Sequence, residues 1–225
     1  MKQWLYRLQY KYSRYGIENL MMYIVIVMLA VYLAQMMQIV PMAYAYIYFD
    51  RGLILSGQIW RVLTFIFMPI AADSTFFMLI ALYMFYYLGN ALEREWGTFR
   101  FNIYFLFGVL GAIIAGFITR IGTNQYIYMS ILLAFAQLFP NMELRLFFLI
   151  PVKVKYIGYV TLIIYGMSLL GALINLDYMT MAAIIASLAN FFIFFGPDIH
   201  SRFLTWKKYY GRRRDFRQNN KDHWR

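Results

Sequence analysis

Six apolar runs, at about residues 20–40, 75–92, 101–119, 126–142, 156–176 and 179–196, leave this chain few ways to fold. A helix needs roughly 17–25 predominantly apolar residues to cross the hydrocarbon core of a bilayer, and only helices or closed barrels satisfy their backbone groups there. Composition agrees: 63% of the residues are hydrophobic and 14% are charged, against roughly 25% charged in an ordinary soluble domain. A soluble chain this apolar lacks the polar residues to cover itself. The expected fold is an all-α integral membrane protein with six transmembrane helices.

A seventh apolar stretch, Ile59 to Ala72, is short and broken by Pro69. It reads as an interfacial segment or the lead-in to the second span. The first run has a basic flank and is followed by the small-x-small string Ala43-Tyr44-Ala45. At about twenty residues it exceeds the roughly 7–15 of a signal-peptide core, so it reads as a retained span.

Charge sets the orientation. With both ends on one side, 18 of the 21 Lys and Arg residues share that side, and only Arg51, Arg61 and Arg120 face the other. The positive-inside rule then places both termini in the cytoplasm. The resulting division is a basic N-terminal segment (1–19), a membrane domain (20–196) and a polybasic tail (197–225). The compact, basic-ended form suits a bacterial plasma membrane. The net charge of +11 sits at span ends and in the tail, so nucleic acid is the weaker reading of it. Anionic lipids at the cytoplasmic leaflet are the better one, with Lys153, Lys155 and the run Arg212-Arg213-Arg214 as expected lipid contacts. Pro140 and Pro151 bracket a segment of mixed apolar and charged residues up to Lys155, which reads as a short interfacial helix or turn.

Within the bilayer, helices approach where residues are small. Gly108, Ala112 and Gly116 form one such face on the third span, and Ala182, Ala186 and Ala189 form a second on the sixth. No span carries an ionisable residue near its middle, which leaves a proton relay or voltage sensor without a carrier. A channel would need a polar pore lining that the spans scarcely provide. Ser130, Gln137, Ser168, Ser187 and Asn190 are polar residues inside the spans, expected mostly to bond helix to helix. With no cysteine, thiolate metal sites and thiol nucleophiles are excluded, and no cofactor or metal is expected.

Two strings go further. Between the first two spans lies Gly57-Gln58-Ile59-Trp60-Arg61, and the second span ends Gly89-Asn90-Ala91-Leu92-Glu93-Arg94-Glu95-Trp96-Gly97-Thr98-Phe99-Arg100-Phe101, with Tyr104 following. Physically, Trp60 and Arg61 suit an interface, with the indole at headgroup level and the guanidinium on phosphate. Glu93 and Arg100 can pair across their connection. Together the strings resemble the rhomboid superfamily of intramembrane serine proteases and their inactive relatives, including the Derlins. The resemblance rests on the Trp-Arg pair of the first loop and on the Gly-x-x-x-Glu and Gly-x-x-Arg-Phe junction, and it covers about residues 20–196. It implies a six-span rhomboid-like bundle.

What the resemblance implies about chemistry is a loss. Active rhomboids place a Gly-x-Ser-Gly nucleophile in the fourth span and a general-base histidine in the sixth, with a His and an Asn in the second. Here the fourth span reads Tyr128-Met129-Ser130-Ile131, without the glycines. The sixth span holds no histidine, and between Val62 and Gly89 there is neither His nor Asn. The only histidines, His200 and His223, lie beyond the last span. A serine hydroxyl needs a base to take its proton, and that base must then protonate the leaving amine. Ser130 is therefore a vestigial candidate. By resemblance to inactive rhomboids, the chain is expected to be a pseudoprotease that recognises or stabilises transmembrane client proteins. The alternative is an intramembrane serine protease using Ser130 with an unconventional base.

Overall fold

The computed structural model describes residues 16–40, 42–69, 74–146, 150–178, 180–182, 184–185 and 188–196. The basic N-terminal residues 1–15 and the tail, including Arg212, Arg213 and Arg214, lie outside the described residues.

Helix α1 (Leu20–Met36) is followed by a first loop containing α2 (Ala43–Ile47), strand β1 (Phe49–Asp50), α3 (Arg51–Leu55), α4 (Arg61–Thr64) and a 3₁₀ turn (Phe65–Phe67). Two long helices follow, α5 (Thr75–Trp96) and α6 (Thr98–Thr119). After them come β2 (Ile121–Gly122), α7 (Gln125–Leu138), strands β3 (Glu143–Leu146) and β4 (Ile150–Lys153), and α8 (Val154–Ile174). The chain is helical again at 178, 180–182, 184–185 and 188–196. Among the described residues three helices, α5, α6 and α8, are long and apolar enough to cross a membrane, and α1 and α7 are shorter apolar helices. The protein is thus an integral membrane protein built of helices.

Several boundaries differ from the sequence expectation for local reasons. The first run stops being helical at Met36, where Gln38 takes a positive φ of 58° and its N–H returns to the carbonyl of Gln35. The fourth run stops at Leu138 and not at 142. Pro140 disfavours helical geometry in the residue before it, and Phe139 has φ −118° and ψ 55°. The segment expected as an interfacial helix or turn is an antiparallel hairpin, with Glu143 opposite Lys153 and Leu144 opposite Val152. In its first strand, Glu143, Leu144, Arg145 and Leu146 alternate charged and apolar with period two, the strand period. The interrupted stretch from Ile59 folds as α4 and the 3₁₀ turn, with Phe65 and Ile66 buried.

Helix α7 is the centre. Ile127, Tyr128, Ser130, Ile131, Leu133, Ala134, Phe135 and Ala136 are all buried, and it packs against α5, α6 and α8. By contrast, α8 leaves Tyr159, Ile163, Ile164, Met167 and Leu170 exposed, as a lipid-facing helix should.

Candidate functional site

Two structures surround the centre: a frame that fixes the loop and helix ends, and a polar cluster at Ser130. The frame begins in the first loop. Arg61 is only 3% exposed. Its Nη1 donates to the carbonyls of Ala45 (2.8 Å) and Tyr48 (3.0 Å), and its Nε donates to Oε1 of Gln58 (2.7 Å). The guanidinium also lies 4.9 Å from the centroid of the Tyr48 ring. The expected phosphate contact therefore gives way to a knot of loop carbonyls. Trp60 remains half exposed and donates its indole N–H to Tyr46 O at 3.2 Å.

Phe49 then fastens the loop to α6. Strand β1 pairs with β2, Phe49 opposite Gly122, and the fully buried Phe49 ring lies against Gly116, where an added Cβ would come within 2.6 Å of it. Asn124 completes the attachment by donating to the carbonyls of Ile66 (3.1 Å) and Met68 (2.7 Å).

The α5–α6 junction is fixed at the other end of the bundle. A Cβ at Gly89 would sit 2.0 Å from Met21 Cγ, so glycine is what lets α1 and α5 meet. One turn later the buried Glu93 accepts from the backbone N–H of Asn19 at 2.9 Å. That contact is how Glu93 holds the start of α1. Gly97, with φ +81°, ends α5 and begins α6, a backbone geometry that favours glycine. Arg100 follows within the first turn of α6.

From that junction the packing leads inward. The Trp96 ring lies 5.3 Å from the Tyr104 ring, edge to face, and Phe194 contacts Tyr104 from the last helical segment at 5.0 Å. Tyr104 is wholly buried. Its hydroxyl donates to Ser130 O at 2.8 Å and meets Ser130 Oγ at 2.5 Å. Asn190 donates through Nδ2 to Ser130 Oγ at 3.1 Å. One arrangement satisfies these contacts: Tyr104 gives its proton to the Ser130 carbonyl, and Ser130 gives its own to Tyr104 while accepting from Asn190. The amide oxygen, Asn190 Oδ1, is buried without a hydrogen-bond partner among the described residues. Gly108 leaves room for this amide, since a Cβ there would stand 3.1 Å from Asn190 Nδ2.

The chemistry of the cluster follows from its members. A carboxamide does not accept a proton near neutral pH, and a phenol is a weak acid with an ordinary pKa near 10. Neither can serve Ser130 as a general base. Ser130 is 1% exposed. Among the described residues the buried charged side chains are Arg61 and Glu93, both engaged in the frame. No group of metal-binding side chains occurs among the described residues.

The expected packing faces divide. Gly108, Ala112 and Gly116 are buried on α6. On the last helical segment, however, Ala182 is half-buried and Ala189 is exposed, while Ala186 lies outside the described residues. That segment instead buries Ile184, Asn190, Phe191, Phe194 and Phe195, so an aromatic and amide face contacts the centre in place of a small-residue one. Lys153 is exposed at the end of β4, and Lys155 is half-buried in the first turn of α8. The sequence names both Tyr104 and Asn190, but their meeting with Ser130 spans 26 and 60 residues. No local pattern encodes that separation.

A fold of apolar helices around a sealed polar cluster defines the chain broadly as a multi-pass integral membrane protein. It belongs to the family described as eukaryotic integral membrane protein (DUF1751), whose model matches residues 19–195. No curated protein matches the chain. The family's description reads eukaryotic, so the expectation of a bacterial plasma membrane finds no support in it.

Proposed function

We propose that this chain is a rhomboid-like membrane pseudoprotease of six spans, with both ends cytoplasmic, that recognises or stabilises transmembrane client proteins without hydrolysing them. The observation that carries the reading is the state of Ser130. Its hydroxyl is occupied on both sides by Tyr104 and Asn190, and neither neighbour is a base. The sequence supplies no histidine within any span, so nothing there activates a nucleophile or protonates a leaving amine.

Client handling has a physical basis in the lengths of two helices. At 1.5 Å per residue, the 14 residues of α7 extend about 21 Å and the 17 of α1 about 26 Å. Both fall short of a hydrocarbon core of about 30 Å. Short spans draw the bilayer thinner around them, and a thinned annulus favours client helices that carry polar residues or are themselves short.

The test is photocrosslinking in reconstituted vesicles against a panel of single-span helices differing in length and in central polar residues. Intact crosslinked clients, with short or polar-interrupted helices captured preferentially, are expected. Equal capture of every helix, or cleaved products in place of intact ones, would contradict the proposal.

A further inference from the structure

A cleft of about 180 Å³ opens on the bundle side between the end of α7, the start of α8 and Phe191. Its upper wall carries Lys155 and Gln137, Tyr159 also lines it, and Leu133, Leu162 and Phe191 are among the apolar residues below. The close packing of Gly158 on Ala136, where a Cβ would lie 2.8 Å from the Ala136 methyl, forms its back. We infer that this cleft is a binding site for one anionic glycerophospholipid, with its phosphate on Lys155 and Gln137 and an acyl chain running down toward Leu162 and Phe191.

Three observations favour that occupant. Lys155 stands in the first turn of an apolar helix that runs to Ile174, which is headgroup depth for a spanning segment. From Lys155 to Leu162 the helix descends seven residues, about 10 Å, so one continuous cleft passes from the charged layer into the acyl layer. The charge itself is available. Lys155 lines the cleft and Lys153 does not; among the described residues Lys155 has no carboxylate partner, and its ammonium lies 5.1 Å from the Tyr156 ring centroid. A cation above an apolar trough matches a lipid's anion above its chains. A neutral client helix offers no anion at that height. The inference stands apart from the client-handling reading and does not require it.

The test uses the full-length protein in vesicles of phosphatidylcholine doped with phosphatidylserine carrying a diazirine on one acyl chain, followed by peptide mapping of the adducts. Adducts are expected at Tyr159, Leu162 and Phe191, falling about fivefold in Lys155→Gln and persisting in Lys153→Gln. Leu162→Trp, which fills the cleft from a partly exposed position, should remove them while leaving thermal unfolding near wild type. Three results would each overturn the site: adducts spread evenly along the exposed face at Ile163 and Met167, an equal loss with either lysine variant, or equal labelling by a phosphatidylcholine probe. Capture of a co-purified protein through a photoreactive residue at position 137, in place of lipid, would overturn it as well.

Discussion

The frame and the Ser130 cluster use polar groups in opposite ways. In the frame, charged side chains are spent on backbone: Arg61 gathers the carbonyls of Ala45 and Tyr48, and Glu93 receives the N–H of Asn19. These bonds tie irregular or terminal segments that have no regular partner of their own. In the cluster, neutral side chains mostly bond one another across three helical segments. The difference teaches what each region is for. The frame sets geometry at the ends of the bundle, where Gly89 and Gly97 permit close approach and a turn. The cluster seals a polar hydroxyl into the centre of α7, where an unmatched one would be costly. On the proposed reading, the chain keeps the architecture around a serine while leaving that serine chemically idle.

The comparison can be broken at three points. Arg61→Ala should have the largest effect on stability, because it orphans two loop carbonyls at roughly 1–3 kcal/mol each. Unfolding of the detergent-solubilised protein should show it, with faster proteolysis of the first loop. A near-neutral result would mean that water replaces the guanidinium and that the loop is not held as described. Gly89→Ala comes next, since its methyl would overlap Met21 Cγ. Overpacking of this kind costs about 1–3 kcal/mol, and adding Met21→Ala should recover part of the loss. If the double variant recovers nothing, α1 and α5 do not meet there.

Asn190→Ala should have the smallest effect. Hydrogen bonds between membrane helices average about 0.6 kcal/mol with a maximum near 1.7, so the variant should fold and unfold slightly earlier than wild type. Pairing it with Ser130→Ala should give less than the sum of the two losses, because both remove the same contact. Strict additivity would place the two side chains apart.

How much of this is legible in the sequence differs between the two regions. Apolar runs announce the helices because burial in lipid demands length, and the runs that became α5, α6 and α8 are continuous. The frame is partly legible too, since Gly89, Glu93 and Gly97 lie within nine residues and act on a single turn of chain. The hairpin was readable in principle from the period-two alternation of Glu143, Leu144, Arg145 and Leu146, but the flanking prolines suggest a turn more strongly. The shortness of α7 is hidden because Phe139 and Met142 are as apolar as the helix itself, and only Pro140 marks the end. Least legible is the partnership of Tyr104, Ser130 and Asn190. Each side chain looks like an ordinary helix-bonding group until folding brings three distant segments together. The exposed Ala189 makes the same point, because small residues signal packing only when the helix turns that face inward.

The account rests most heavily on the idleness of Ser130. Reconstituted wild type and Ser130→Ala should be incubated side by side with a serine-reactive fluorophosphonate probe and a panel of single-span substrates. The structure leads to equal, background labelling of the two proteins and intact substrates throughout. Labelling or cleavage that vanishes with Ser130 would show a nucleophile activated by a base other than Tyr104 or Asn190, and would contradict the pseudoprotease reading.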